Sequence, residues 1–119
     1  MKILIVDDDE NNLSLSSKFL KKMDFDVTTA ENGREAIDLC KKEDFDLILM
    51  DIRMPVINGV EATKEIKKFK NITIIAFTTF SATDIQKIYD YSGFNGFLQK
   101  PVNKQTFKDF FEKTTVFSP

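Results

Sequence analysis

Three short apolar runs, Ile3-Leu4-Ile5-Val6, Leu47-Ile48-Leu49-Met50 and Ile74-Ile75-Ala76-Phe77, set the terms on which this chain can fold. Each is continuous rather than alternating, which is the pattern of a strand buried on both faces of a parallel sheet. With them, strands are predicted over residues 2–6, 26–30, 46–50, 72–77 and 96–99. Helical spacing fills the intervals. Leu15, Phe19 and Met23 recur every four residues with Leu20 beside them, and Ala36, Ile37 and Cys40 mark a second helix. Residues 60–69 read as a third, Ile85, Ile88 and Tyr89 as a short fourth, and Phe107, Phe110 and Phe111 as a last. Strand followed by helix, five times over, predicts an α/β fold. A doubly wound parallel sheet is closed by right-handed crossovers, with helices on both faces.

Local signals agree with this order. Asn32 precedes Glu35, and Asn58 precedes Glu61, by the three residues that suit a side-chain acceptor and an acid at a helix start. Asn103 stands likewise before the last helix, with Pro101 closing the strand ahead of it. Neither repeats nor a linker interrupt the 119 residues, so residues 1–119 are expected to form one domain.

Composition removes several functions. Apolar residues at 42% and charged residues at 30% are too hydrophobic for disorder, and no run is long enough to span a bilayer. Seventeen basic against nineteen acidic residues give a net charge of −2, so nothing points to nucleic acid. Cys40 is the one cysteine, which excludes an internal disulfide and fits a reducing, cytoplasmic setting; no signal-peptide pattern precedes the first strand. The chain has no histidine, so histidine catalysis and Cys/His zinc sites are excluded. Its chemistry must use carboxylates, hydroxyls and amines.

In an open doubly wound sheet, ligands bind beyond the carboxyl ends of the strands. There the sequence places Asp7, Asp8 and Asp9, then Asp51, then Thr78 and Thr79, then Lys100. If the first and third strands are neighbours, carboxylates converge on one small volume and repel one another without a cation. An all-carboxylate set selects a hard ion, best Mg²⁺. With a lysine for point charge and a threonine hydroxyl, the set suits phosphoryl transfer, where positioning and charge neutralisation do most of the catalysis. Asp51 stands alone after its strand and is the candidate nucleophile, while Asp7 and Asp8 are better arranged to hold the metal. Asp9 reads as a helix cap, Pro55 and Gly59 as backbone devices, and Cys40, Phe19, Phe45, Phe77 and Phe107 as core. Phe80, Phe97 and Phe117 are less easily buried.

The strings Val6-Asp7-Asp8-Asp9 and Asp51-x-x-Met54-Pro55-x-x-x-Gly59, followed by Thr78 and then Lys100-Pro101, resemble the receiver domain of bacterial response regulators over essentially the whole chain. The resemblance implies a flavodoxin-like sheet of order 2-1-3-4-5 with five helices. It makes Asp51 the phosphoacceptor and Asp8 the direct Mg²⁺ ligand, with Asp7 acting largely through water and Arg53 through its backbone carbonyl. Thr78 and Lys100 would contact the phosphoryl group, and Phe97 holds the aromatic switch position.

The donor implied is a sensor histidine kinase or a histidine phosphotransfer protein. A downstream protein would read the face of the fourth helix, fifth strand and last helix. Neither nucleic-acid binding nor membrane insertion is implied, and the module assists its own phosphorylation and dephosphorylation without being an enzyme in the usual sense. Asp24 stands where a glycine is common, and Thr79 where alanine is frequent. Arg53 and Phe80 flank the path of an attacking water, and their bulk is expected to slow acyl-phosphate hydrolysis.

Met1 directly before the first strand favours a stand-alone receiver without an output domain, whereas the string from Met50 to Gly59 resembles hybrid-kinase receivers. A haloacid-dehalogenase-type phosphatase, with Asp7 as nucleophile and Asp9 two residues on, is the alternative from another class. A pseudo-receiver would lack acidic positions that are intact here.

Overall fold

The structure, a computed structural model, describes residues 1–54, 56–79, 93–100 and 102–113. Five parallel strands, β1 (Lys2–Val6), β2 (Asp26–Ala30), β3 (Leu47–Met50), β4 (Thr73–Thr78) and β5 (Gly96–Gln99), form one sheet in the order β2-β1-β3-β4-β5. The described helices are α1 (Glu10–Lys22), α2 (Gly33–Lys42), α3 (Gly59–Lys67) and α4 (Lys104–Lys113). The short helix expected around Ile85, Ile88 and Tyr89 lies outside the described residues, as do Pro55, Phe80, Pro101 and Phe117. No described helix is long and apolar enough to cross a membrane.

The continuous apolar runs do what their pattern requires. Ile3 and Ile5 enter one core layer and Leu4 and Val6 the other, and all four are fully buried. The first layer continues through Leu13 and Leu20 of α1, Phe77 of β4, and Phe107 and Phe111 of α4. The second continues through Ala36, Ile37 and Cys40 of α2 and Ala62 and Ile66 of α3. Helices on both faces hide every side chain of β1 and β3 apart from the half-buried Lys2.

The expected caps form. Asp9 accepts from the backbone N–H of Asn11 at 2.9 Å, Asn32 from Glu35 at 2.9 Å, Asn58 from Glu61 at 2.9 Å and Asn103 from Thr106 at 2.9 Å. Each satisfies an N–H that has no partner within its own helix. At the other end of α1, Asp24 has φ +66°, with its N–H on Lys21 and that of Phe25 on Leu20. This is a Schellman closure, made by an aspartate at the position where glycine would cost least.

Two expectations need correction. Element edges move by one or two residues: β3 starts at Leu47, β4 runs Thr73–Thr78 and α3 runs Gly59–Lys67. The buried stripe of α1 is Leu13, Ser16 and Leu20, with Phe19 and Met23 partly buried, and Leu15 is 47% exposed. Ser16 is buried on the wall of a cleft it shares with Phe77 and Lys100, and no apolar pattern reveals a polar residue there.

Candidate functional site

The sheet ladder itself positions the residues that follow each strand. The N–H of Asp7 donates to Ala30 of β2 at 3.0 Å, that of Asp51 to Val6 of β1 at 2.9 Å, and that of Lys100 to Thr78 of β4 at 2.7 Å. Each is one residue past its strand, yet its backbone is still pinned to the neighbouring strand. Because β1 and β3 are adjacent, Asp7, Asp8 and Asp51 meet, and each offers a carboxylate oxygen within 4.8 Å of the others. Asp7 is buried, Asp51 is 8% exposed and Asp8 faces solvent.

Lys100 reaches into this group from beyond β5. Its ammonium donates to Asp7 and lies 3.6 Å from Asp51 Oδ2, with only 8% of the side chain exposed. The other Asp7 oxygen accepts the Asp9 N–H at 2.9 Å, so Asp9 both caps α1 and orients Asp7. Of the three grouped carboxylates, Lys100 thus lies against two, Asp7 and Asp51, while Asp8 stands on the solvent side. Burial pushes the Asp51 carboxyl up to about 6, only partly opposed by Lys100, and the charge of Asp7 pushes the same way. A hard divalent cation suits this donor set: all oxygen, excess negative charge, and one ligand open to water.

Residues 3–112 match the family model described as the response regulator receiver domain. The chain belongs to that family. The receiver is 37% identical over 110 residues to the chemotaxis protein CheY of Halobacterium salinarum, covering 91% of each. It is 36% identical over 113 residues to hybrid signal transduction histidine kinase E of Dictyostelium discoideum, with 89% of this chain but 7% of that protein covered. Among solved structures it superposes on the receiver domain of a Pseudomonas aeruginosa sensor histidine kinase, with magnesium coordinated in the active-site cleft. The TM-score there is 0.85, with 29% identity and 94% of both chains covered. The chain spans a small fraction of the hybrid kinases it matches and nearly the whole of the archaeal CheY. It is a receiver of two-component signalling, the expected fold and family both being met.

Two clefts flank the acids of this receiver. One of about 530 Å³ is lined by Asp8, Ile52, Arg53, Met54, Asn58 and Val60; Arg53 is exposed there. The other, about 180 Å³, lies against Lys100 and Phe77 and is walled by Asn12, Leu15, Ser16, Thr79 and Val102. A larger cleft of about 680 Å³ between α1 and β2 includes none of the acids, and its size says nothing about the chemistry. Thr78 is buried at the end of β4, next to β3, while Thr79 is exposed. Phe97 on β5 is 39% exposed, beside Ala76 of β4.

Gly59 has the backbone role read for it, whereas other features escape a reading of residue types. A Cβ on Gly59 would sit 1.9 Å from the carbonyl oxygen of Asp51, and the Gly59 N–H donates to Ile52 at 2.9 Å. Glycine is what lets α3 start directly against the acid loop. Gly33 does the same for α2, where a Cβ would meet the Ile57 carbonyl at 2.6 Å. In the same loop Val56, 80% exposed, holds φ +71°, a strained conformation for a β-branched residue. The ring of Phe77 under the ammonium of Lys100, at 5.0 Å, was legible only as core. Its place just before Thr78, at the end of a strand beside the lysine, was the one available signal.

Proposed function

We propose that Asp51 is the phosphoacceptor of this receiver and takes its phosphoryl group from the phosphohistidine of a sensor histidine kinase or a histidine phosphotransfer protein. The observation that carries this reading is the meeting of the Asp51 carboxylate with Asp7, Asp8 and Lys100 at the ladder-pinned rim of the sheet. An Asp51 Oδ attacks phosphorus, the P–N bond to the donor imidazole breaks, and the imidazole nitrogen leaves with the electron pair.

Asp7, Asp8 and Asp51, with the backbone carbonyl of Arg53, would hold Mg²⁺, which neutralises phosphoryl oxygens when bound. Lys100 supplies a fixed ammonium at the same place. The buried Thr78 brings a hydroxyl able to donate to a phosphoryl oxygen, and the low exposure of Asp51 limits access of water to the acyl phosphate.

Phosphorylation adds about −1.5 to −2 charges at neutral pH. Thr78 drawn toward that charge leaves room beside β5, and Phe97, partly exposed in this state, is the ring positioned to use it. The output is a population shift that a downstream protein reads on the face carrying Phe97. Residues 1–119 act as one receiver unit in the cytoplasm, whether stand-alone or part of a hybrid kinase.

The test is Mg²⁺-dependent labelling by acetyl phosphate, with the modified residue located by mass spectrometry. Wild type is expected to carry the label on Asp51, Asp51→Asn to carry none that is stable, and Lys100→Ala to label yet signal poorly. Label on Asp7 with turnover of phosphate esters would replace this reading with a phosphatase.

A further inference from the structure

Lys100 is a buried cation with an unusual neighbour. With 8% of its side chain exposed, the ammonium has lost most of its water, and a desolvated cation needs compensation on every side. Asp7 and Asp51 provide it on the side of the acids. On another, the Phe77 ring centroid lies 5.0 Å from Nζ, within the range of a cation–π attraction. The ring cannot drift. Phe77 is 1% exposed, its centroid is 5.8 Å from that of the fully buried Phe107, and Phe107 in turn meets Phe19 at 6.1 Å. A row of three rings from α1, α4 and β4 thus ends on the lysine.

Packing alone does not call for a ring at this place. Leu98, its register partner on β5, and Ile75 fill the same core layer with aliphatic side chains. What only an aromatic face adds is a negative potential that carries no formal charge and accepts no proton. Asp7 is an imperfect anchor for the ammonium, because its carboxylate also belongs to the acidic group proposed to hold a cation. The ring is not part of that acidic group, and its other recorded ring contact is neutral packing against Phe107.

We propose that Phe77 is a positioning residue for Lys100, holding the ammonium at the rim of the sheet by a cation–π contact so that its N–H groups stay directed toward the phosphoryl site. The proposal rests on the reading of Lys100 as a phosphoryl contact.

The experiment replaces Phe77 with mono-, di- and trifluorophenylalanine in the full chain, which keeps ring shape while draining its negative face, in wild-type and Lys100→Ala backgrounds. Two quantities are read: stability in urea without divalent metal, and the rate of labelling by acetyl phosphate with Mg²⁺. With Lys100 present, the labelling rate should fall stepwise with fluorination, by about 2- to 30-fold across the series. The urea midpoint should fall in the same order. In Lys100→Ala both series should be flat.

A labelling rate independent of fluorination, in proteins that do label, overturns the proposal and leaves the phosphoacceptor reading intact. If no protein labels, that reading fails instead. The metal-free series then decides whether Phe77 holds Lys100, equal slopes with and without the lysine counting against it.

Discussion

The two ends of the parallel sheet both carry charged side chains and treat them in opposite ways. At the carboxyl end, Asp7 and Asp51 are buried with Asp8 beside them, and the ammonium of Lys100 lies against Asp7 and Asp51. At the amino end, Lys2 pairs with Glu43 at 2.9 Å, Lys70 pairs with Asp44, and the Lys2 N–H donates to Asp46 at 2.7 Å. All the carboxylates in those pairs are substantially open to water. The same carboxyl group responds to the two settings with opposite sign. Burial raises Asp51 to about 6, whereas a hydrogen bond and the charge of Lys70 hold the exposed Asp44 below the usual carboxylate range. A folded chain minimising its own free energy would build only the second kind of end. The first is a cost kept for chemistry.

The comparison can be broken most severely at Asp51. Its folded value lies above its ordinary value of 3.8, so the charged form is disfavoured by folding. The penalty is complete above about pH 6, shrinks as pH falls through the folded value, and is gone below the ordinary one. Asp51→Asn should therefore stabilise the metal-free protein by about 2–3 kcal/mol at neutral pH, with the gain fading toward pH 4. Urea unfolding across that range measures it, and a destabilised Asp51→Asn at pH 7 would remove the claim that this end is strained.

At the opposite end the sign reverses and the size drops. Asp44 contributes stability only while ionised, so its contribution is present above its ordinary value and lost as pH falls through its lower folded value. Asp44→Asn should lower the urea midpoint slightly at pH 7, by much less than Asp51→Asn raises it. Salt at about 1 M should erase the difference, because the pair is solvent-screened. A loss as large as the gain at Asp51 would mean that exposure does not separate the two ends.

The carboxyl end was also the more legible in sequence. Unbroken apolar runs locate β1 and β3, and the residue after each run is the one the ladder leaves at the rim, so Asp7 and Asp51 could be found from position alone, while Lys100 was found by its place after the shorter, mixed strand Gly96–Gln99. Caps were legible because Asn32, Asn58 and Asn103 act on residues three further on. Features that depend on separations in space were not. Ser16 was hidden in the core stripe of α1 because it is polar. Asp24 and Val56 take positive φ although neither is glycine. Phe77 was identified as core, correctly, but its contact with Lys100 arises from a lysine twenty-three positions along the chain that only the β4–β5 pairing brings near.

The central claim, that these acids converge in order to share one divalent cation, is tested most directly by urea unfolding at neutral pH with increasing Mg²⁺. The wild-type midpoint should rise with the logarithm of free Mg²⁺, since only the folded chain gathers the ligands, and the rise should be much smaller in Asp51→Asn. A wild-type midpoint that ignores Mg²⁺, or rises equally in both proteins, would contradict it.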